Sequence, residues 1–282
     1  MRIVVKQIFL VTAIAVFSAF RITENKNKYD YTASPGLKIV KTWHLPAILK
    51  EISGIDVIDS VRLACIQDEM GIIFIYNIAT SAIEEQIPFA PAGDFEGIAI
   101  VNKSAWVLRS DGKLFEVTSL TAKVSPGKEY STRLTAQQNV EGLCYDKKNN
   151  RLLLAIKSTE PGGKNYKGIY SFDLVTKTMA SEPAYKISMQ QEVVTGNKKR
   201  KFEIMPSDIA INPKTGDIYI TDGRNAMLLI LDAAGNFKTL YPLHTKEFHQ
   251  PEGITFYPDG KMFISNEGRN EGGNILKVEP VN

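Results

Sequence analysis

Apolar and polar positions along this chain fall into short blocks, with no long helical stripe in the folded part. The stretch FEGIAIV, Phe95 to Val101, is followed by the polar pair Asn102 and Lys103, then AWVL at Ala105 to Leu108, a polar turn from Arg109 to Gly112, and KLFEV. Short apolar runs bounded by Gly, Asn, Asp and Pro are the pattern of strands joined by tight turns. The same grammar returns as SDIAI, NPKTG, DIYIT and MLLILD after Ser207, and as GITF, YPDG, KMFIS and NILKV after Gly253. Each unit opens on a related phrase: SGI at Ser53, EGI at Glu96, EGL at Glu141, SDI at Ser207 and EGI at Glu252. Its second positions, Gly54, Gly97, Gly142, Asp208 and Gly253, are 43, 45, 66 and 45 residues apart.

Periods of about 40 to 45 residues with several strands each are the spacing of propeller blades. The opening strands are apolar on nearly every position, which suits a sheet covered on both faces, as a blade is by its neighbours. A β-sandwich competes with this reading, but the chain ends separate the two. Only 29 residues follow Gly253, about one strand short of a unit, and the isolated run LKIVKTWHL at Leu37 to Leu45 precedes the first unit. That run supplies the missing strand and removes a free edge. The expected architecture is all-β: a five-bladed β-propeller over 37–282, closed by its N-terminal strand. The 66-residue interval holds 21 residues beyond 45, around Gln190 to Ile204. They read as a surface loop inserted between the third and fourth blades, a disordered loop or part of a lid or partner surface.

Ahead of the propeller, Arg2 and Lys6 flank an apolar run of 13 residues from Ile8 to Phe20, and a polar stretch follows from Arg21. This is the order of an export signal, and the run is short for a membrane span. Residues 1–20 are therefore expected to be a signal peptide, or an N-terminal anchor if uncleaved, with 21–36 as linker. Either outcome puts the propeller in the periplasm or on the outward-facing side of a bacterial membrane. Cys65 and Cys144 lie in apolar runs of non-adjacent units, so buried free thiols are expected. With 34 basic and 31 acidic residues the net charge is +3. No global field favours nucleic acid, and the basic run Lys198 to Lys201 reads as solvated surface.

The chemistry concentrates at the phrases. If each opening strand lines a central channel, Ser53, Glu96, Glu141, Ser207 and Glu252 ring one mouth. Crowded carboxylates repel unless protonated or neutralised, and a hard divalent cation suits an all-oxygen set. Glu96, Glu141 and Glu252 are the expected metal ligands and Ca2+ the expected ion. Asp94, Asp208, Asp68, Glu69, Asp222, Asn266 and Glu267 are expected as outer ligands or water holders. A second row, Gln67, Arg109, Lys157, Thr221 and Ser265, is read at the ends of the second strands. Its cations Arg109 and Lys157 come from adjacent units and are expected to grip an anionic ligand. His249, three residues before Glu252, is the candidate general base. No G-x-S-x-G elbow, phosphate-binding Gly loop or metal-hydrolase helix motif occurs.

DFEGIAI at Asp94, NVEGLCYD at Asn139, PSDIAINPKTGDIYI at Pro206 and QPEGITFYPDGKMFISNEG at Gln250 resemble the SdiA-regulated family, distantly related to NHL-repeat propellers. The resemblance spans about Leu37 to Asn282. It implies five blades, bound calcium and an exported or membrane-tethered location, and it implies no reaction. Two functions stand open. One is a monomeric, calcium-binding envelope propeller that binds a small anionic ligand or an envelope protein. The other is a calcium-dependent hydrolase of lactones, esters or phosphates, by similarity of the phrase to strand starts in gluconolactonase-like and paraoxonase-like propellers.

Overall fold

A computed structural model describes residues 36–189, 192–195, 198–201, 203–269 and 271–281. The expected signal or anchor at 1–20 and nearly all of the linker lie outside them. Among the described residues no helix is long and apolar enough to cross a membrane.

The strands assemble into five antiparallel blades. Blade 1 runs outward from the axis as Ile52–Val57, Arg62–Gln67, Ile72–Asn77 and Ala82–Pro88, and blade 2 as Phe95–Val101, Ser104–Arg109, Leu114–Val117 and Lys128–Tyr130. Blade 3 has Val140–Asp146, Arg151–Ile156 and Tyr166–Asp173, with its outer edge shared by Thr178–Met179 and Tyr185–Ser188. Blade 4 comprises Asp208–Ile211, Ile218–Asp222, Met227–Leu231 and Phe237–Pro242. Blade 5 takes Pro251–Phe256, Met262–Asn266 and Asn274–Pro280 from the C-terminal end, and its outermost strand, Leu37–His44, from the N-terminal end. That strand pairs antiparallel with Asn274–Pro280, so the closure expected from the chain ends is present. Trp43 secures it: the indole is 5% exposed, packs against Phe263 and donates Nε1–H to the Ile78 carbonyl of blade 1 at 2.7 Å.

Apolar residues lie between consecutive blades, which explains why the inner strands are apolar on both faces. Five separate clusters fill the five gaps. Between blades 2 and 3, for example, Trp106, 1% exposed, stacks on Tyr130 and touches Phe172. Each such side chain contributes about 1.5–3 kcal/mol by leaving water. Cys65 and Cys144 are buried, unpaired members of two of these clusters.

The described parts of the interval between blades 3 and 4 include strands. Tyr185–Ser188 extends the edge of blade 3, and Glu192–Thr195 pairs with Lys198–Lys201 as a two-stranded hairpin. Alternation in a four-residue basic segment is too short to separate an exposed strand from a solvated turn, so its strand state was not visible in the residues.

Candidate functional site at the axial mouth

The five inner strands adjoin one another in ring order, the last meeting the first. Their opening residues therefore share one mouth. In four blades the pairing register shifts at the same place: between Ile52 and Gly54, Phe95 and Gly97, Val140 and Gly142, and Pro251 and Gly253. Ser53, Glu96, Glu141 and Glu252 are the extra residues of four β-bulges. A bulge leaves its extra residue outside the ladder and re-aims the side chain. The glycine that follows permits close packing around the axis. A Cβ on Gly97 would stand 2.6 Å from Leu143 Cβ and 2.9 Å from the Glu141 carbonyl.

The three glutamates do not share one environment. Glu141, 3% exposed, accepts Asn139 Nδ2–H at 2.6 Å on Oε1 and the Lys157 ammonium at 2.6 Å on Oε2. Burial pushes it up to about 8 even against that ammonium, and Glu252 adds to the rise. Glu252 is buried as well, and its carboxyl is raised by burial while Lys157, Gln250 and Ser207 oppose the rise. For Glu96, burial first, then Glu141, Asp94 and Glu252, push the carboxyl up to about 9, with the charge of Lys157 opposing them. Lys157 is held above its ordinary value by Glu141, Glu252 and Glu96, which outweigh its burial. Three carboxylates thus lean on one ammonium.

The two serines of the ring are already engaged. Ser53 Oγ donates to the Phe95 carbonyl of blade 2 at 2.7 Å, and Ser207 Oγ accepts the Gly223 amide at 2.9 Å while bonding Glu252.

Asp208, expected as an outer ligand, has another task. Its side chain is 1% exposed; Oδ1 accepts the Leu143 amide of blade 3 at 3.1 Å and Oδ2 the Ile254 amide of blade 5 at 2.8 Å. Asp56, which was not singled out from the sequence, does the same elsewhere: Oδ2 accepts the Ile100 amide of blade 2 at 2.6 Å and Oδ1 the Thr255 hydroxyl of blade 5 at 2.7 Å. Burial raises both carboxyls. An acid inside the otherwise apolar SGIDV was the available signal for Asp56. Asp222 is likewise committed, accepting the Met205 and Asn225 amides and Asn225 Nδ2–H, each at 2.8 Å.

At the rim, Glu267 accepts from Gln250 Nε2. Burial, then Glu51 and Glu267, push Asp68 up to about 6, and its Oδ1 has no partner among the described residues. Asn266 Oδ1 and Ser265 Oγ, on the strand paired with Glu252's own, are also buried and unpartnered there. Asp94 enters through its charge on Glu96, whereas Glu69 donates its amide to Gln67 Oε1 at 2.5 Å.

The row of second-strand ends is not a row. Gln67, Arg109 and Asn266 face Ile52, Phe95 and Pro251 at the bulges, but so does Ile156 face Val140, which puts Lys157 one position further on. Thr221 and Ser265 stand one position earlier, opposite Asp208 and Gly253. Arg109 gives its guanidinium to Asp111, Nε at 3.1 Å and Nη2 at 2.8 Å, and lies over the Phe115 ring. Lys157 alone of the two cations is bonded to a ring glutamate. His249 lies in the segment between Pro242 and Pro251; its Nε2 is buried with no partner among the described residues.

The carboxylates of Glu96, Glu141 and Glu252 are hard oxygen donors, the type calcium prefers. Among the described residues no group of three or more acids, imidazoles or thiols is gathered closely enough to hold an ion. At Glu141, Asn139 and Lys157 each take one carboxylate oxygen. In charge and donor type these residues suit calcium, and the Lys157 ammonium sits among them.

Solved structures similar to this chain include the glutaminyl cyclase of Myxococcus xanthus, at 14% identity and a TM-score of 0.60, covering 86% of this chain and 95% of that one. The virginiamycin B lyase of Staphylococcus aureus is similar at 16% identity and a TM-score of 0.52, covering 87% and 100%. At such identities the likeness shows the fold alone. None of the curated proteins matches the chain. The model of the family described as SdiA-regulated matches residues 43–270. With five blades, N-terminal closure and a match across most of its length, the chain belongs to the SdiA-regulated family.

Proposed function

We propose that this protein is an exported calcium-binding propeller of the bacterial cell envelope, which binds a small anionic ligand or an envelope protein at its axial mouth. Glu96, Glu141 and Glu252 are the residues that would hold the ion. One observation carries the reading: three bulge-presented carboxylates lean on the single ammonium of Lys157, which is hydrogen-bonded to Glu141. Buried charge is costly unless paired, and a bound cation lets crowded carboxylates ionise together. When bound, calcium supplies positive charge to the carboxylates and an electrophilic surface for a ligand oxygen. Lys157 adds a second positive charge at the same mouth. Arg109 is left out of the ligand site because Asp111 holds it. Export rests on the order of charged, apolar and polar residues in 1–31.

Thermal melting in calcium and in chelator tests the reading. Calcium raises Tm in the wild type, and Glu96→Gln, Glu141→Gln and Glu252→Gln each reduce the gain. An unchanged Tm in millimolar calcium, with all four proteins alike, overturns it.

A further inference from the structure

We infer that Lys157 is a built-in competitor of the divalent cation, an internal counter-ion that sets the affinity of the mouth. The inference rests on the calcium reading above and concerns how that same site is regulated.

The Lys157 ammonium is 2.6 Å from Glu141 Oε2, and it is also attracted by Glu252 and Glu96. It therefore occupies charge that a cation at the mouth would use. A positive charge beside a bound divalent ion repels it even at a high effective dielectric. Removing the ammonium relieves that repulsion and frees one Glu141 oxygen.

The main chain around Lys157 is pinned, so only its side chain is available to yield. Its amide donates to the Asn139 carbonyl at 2.9 Å, and the Ser158 amide donates to the Gln138 carbonyl at 2.9 Å. A second lysine completes the clamp. Lys167, 4% exposed, donates its ammonium to the Lys157 carbonyl at 2.6 Å and to the Ser158 carbonyl. Burying an ammonium is costly, and burial pulls Lys167 below its ordinary value. It is retained where it fixes the backbone that carries Lys157. Lys157 itself is 21% exposed along its side chain, so part of its unbranched stem meets solvent. With the backbone pinned, only the side chain can exchange its partner, and its charge makes ion binding weaker and reversible.

Calorimetric titration of the full chain with calcium chloride tests this, using wild type, Lys157→Met and Lys157→Arg. The expected result is at least a tenfold tighter dissociation constant for Lys157→Met, with Lys157→Arg, which keeps the charge, close to wild type. Equal or weaker binding by Lys157→Met than by wild type overturns the inference and leaves the calcium reading standing. Absence of calcium binding in all three proteins overturns both. Tighter binding by Lys157→Arg equal to that of Lys157→Met also overturns it, because charge would then be irrelevant. Circular dichroism of each variant establishes that the comparison is between folded proteins.

Discussion

The carboxylate of Asp208 accepts the backbone amide of Ile254 at 2.8 Å, binding the inner strand of blade 4 to that of blade 5. Its other oxygen takes the Leu143 amide of blade 3. Asp208 occupies the position that is glycine in the four other phrases, so the one blade lacking the small residue replaces close packing with a bridging side chain. Asp208→Ala orphans two buried donors, each costing about 1–3 kcal/mol. Urea unfolding should show a loss of about 2–5 kcal/mol, with Asp208→Asn recovering part of it through its remaining carbonyl. A loss below about 0.5 kcal/mol for Asp208→Ala, the scale of an ordinary surface change, would contradict the assignment.

Gly97 makes the complementary prediction. Its missing Cβ would meet Leu143 Cβ and the Glu141 carbonyl, and neither belongs to a flexible chain end. Gly97→Ala must widen the ring at the point where Glu96 and Glu141 approach each other, at a cost of about 1–3 kcal/mol. Gly36→Ala is the control, since nothing lies within 4 Å of its added Cβ. Chemical denaturation of both variants checks the difference; equal effects would remove close packing as the reason for this glycine.

Closure of the ring depends on a single strand from the far end of the chain. Deleting residues 1–44 removes Leu37–His44 and Trp43, and exposes the edge of Asn274–Pro280. The truncated protein should lose its sharp unfolding transition and self-associate as concentration rises. Trp43→Ala in the full chain should cost about 3–5 kcal/mol. A truncated monomer with an unchanged transition would show that closure is dispensable.

Glu96 contributes to the pH dependence of the ion-free protein, beside Glu141 and the other raised carboxyls. Its folded value is raised from 4.5 to about 9, so the folded state holds this proton more tightly than the unfolded chain. The associated stability is full below about pH 4.5 and is lost as pH climbs toward 9. Glu96→Gln cannot ionise and keeps it. In chelator, the variant should gain Tm over wild type on going from pH 5 to pH 8, by about 2–4 °C for each kcal/mol retained. A Tm difference that does not change with pH would contradict the burial of this carboxylate.

Blade number and closure were legible because both are written in one dimension, as phrase spacing and a strand count at the ends. The glutamates were legible as a set for the same reason. Their individual environments were not. The bulges are properties of two paired strands, and counting from the end of an apolar run misaligned Lys157, Thr221 and Ser265 by one position relative to Gln67 and Arg109. The Lys157 to Glu141 pair joins a strand start to the residue after its partner strand's end, which only the register reveals. Asp208 looked like a ligand because acids near a channel mouth suggest one, whereas its carboxylate faces amides of both neighbouring blades.

A crystal structure of the protein grown in calcium chloride tests the central claim most directly. The account predicts an ion at the axial mouth with oxygens of Glu96, Glu141 and Glu252 at about 2.3–2.6 Å, and the Lys157 ammonium moved off Glu141. A mouth without an ion, with Lys157 still seated on Glu141 in saturating calcium, would contradict it.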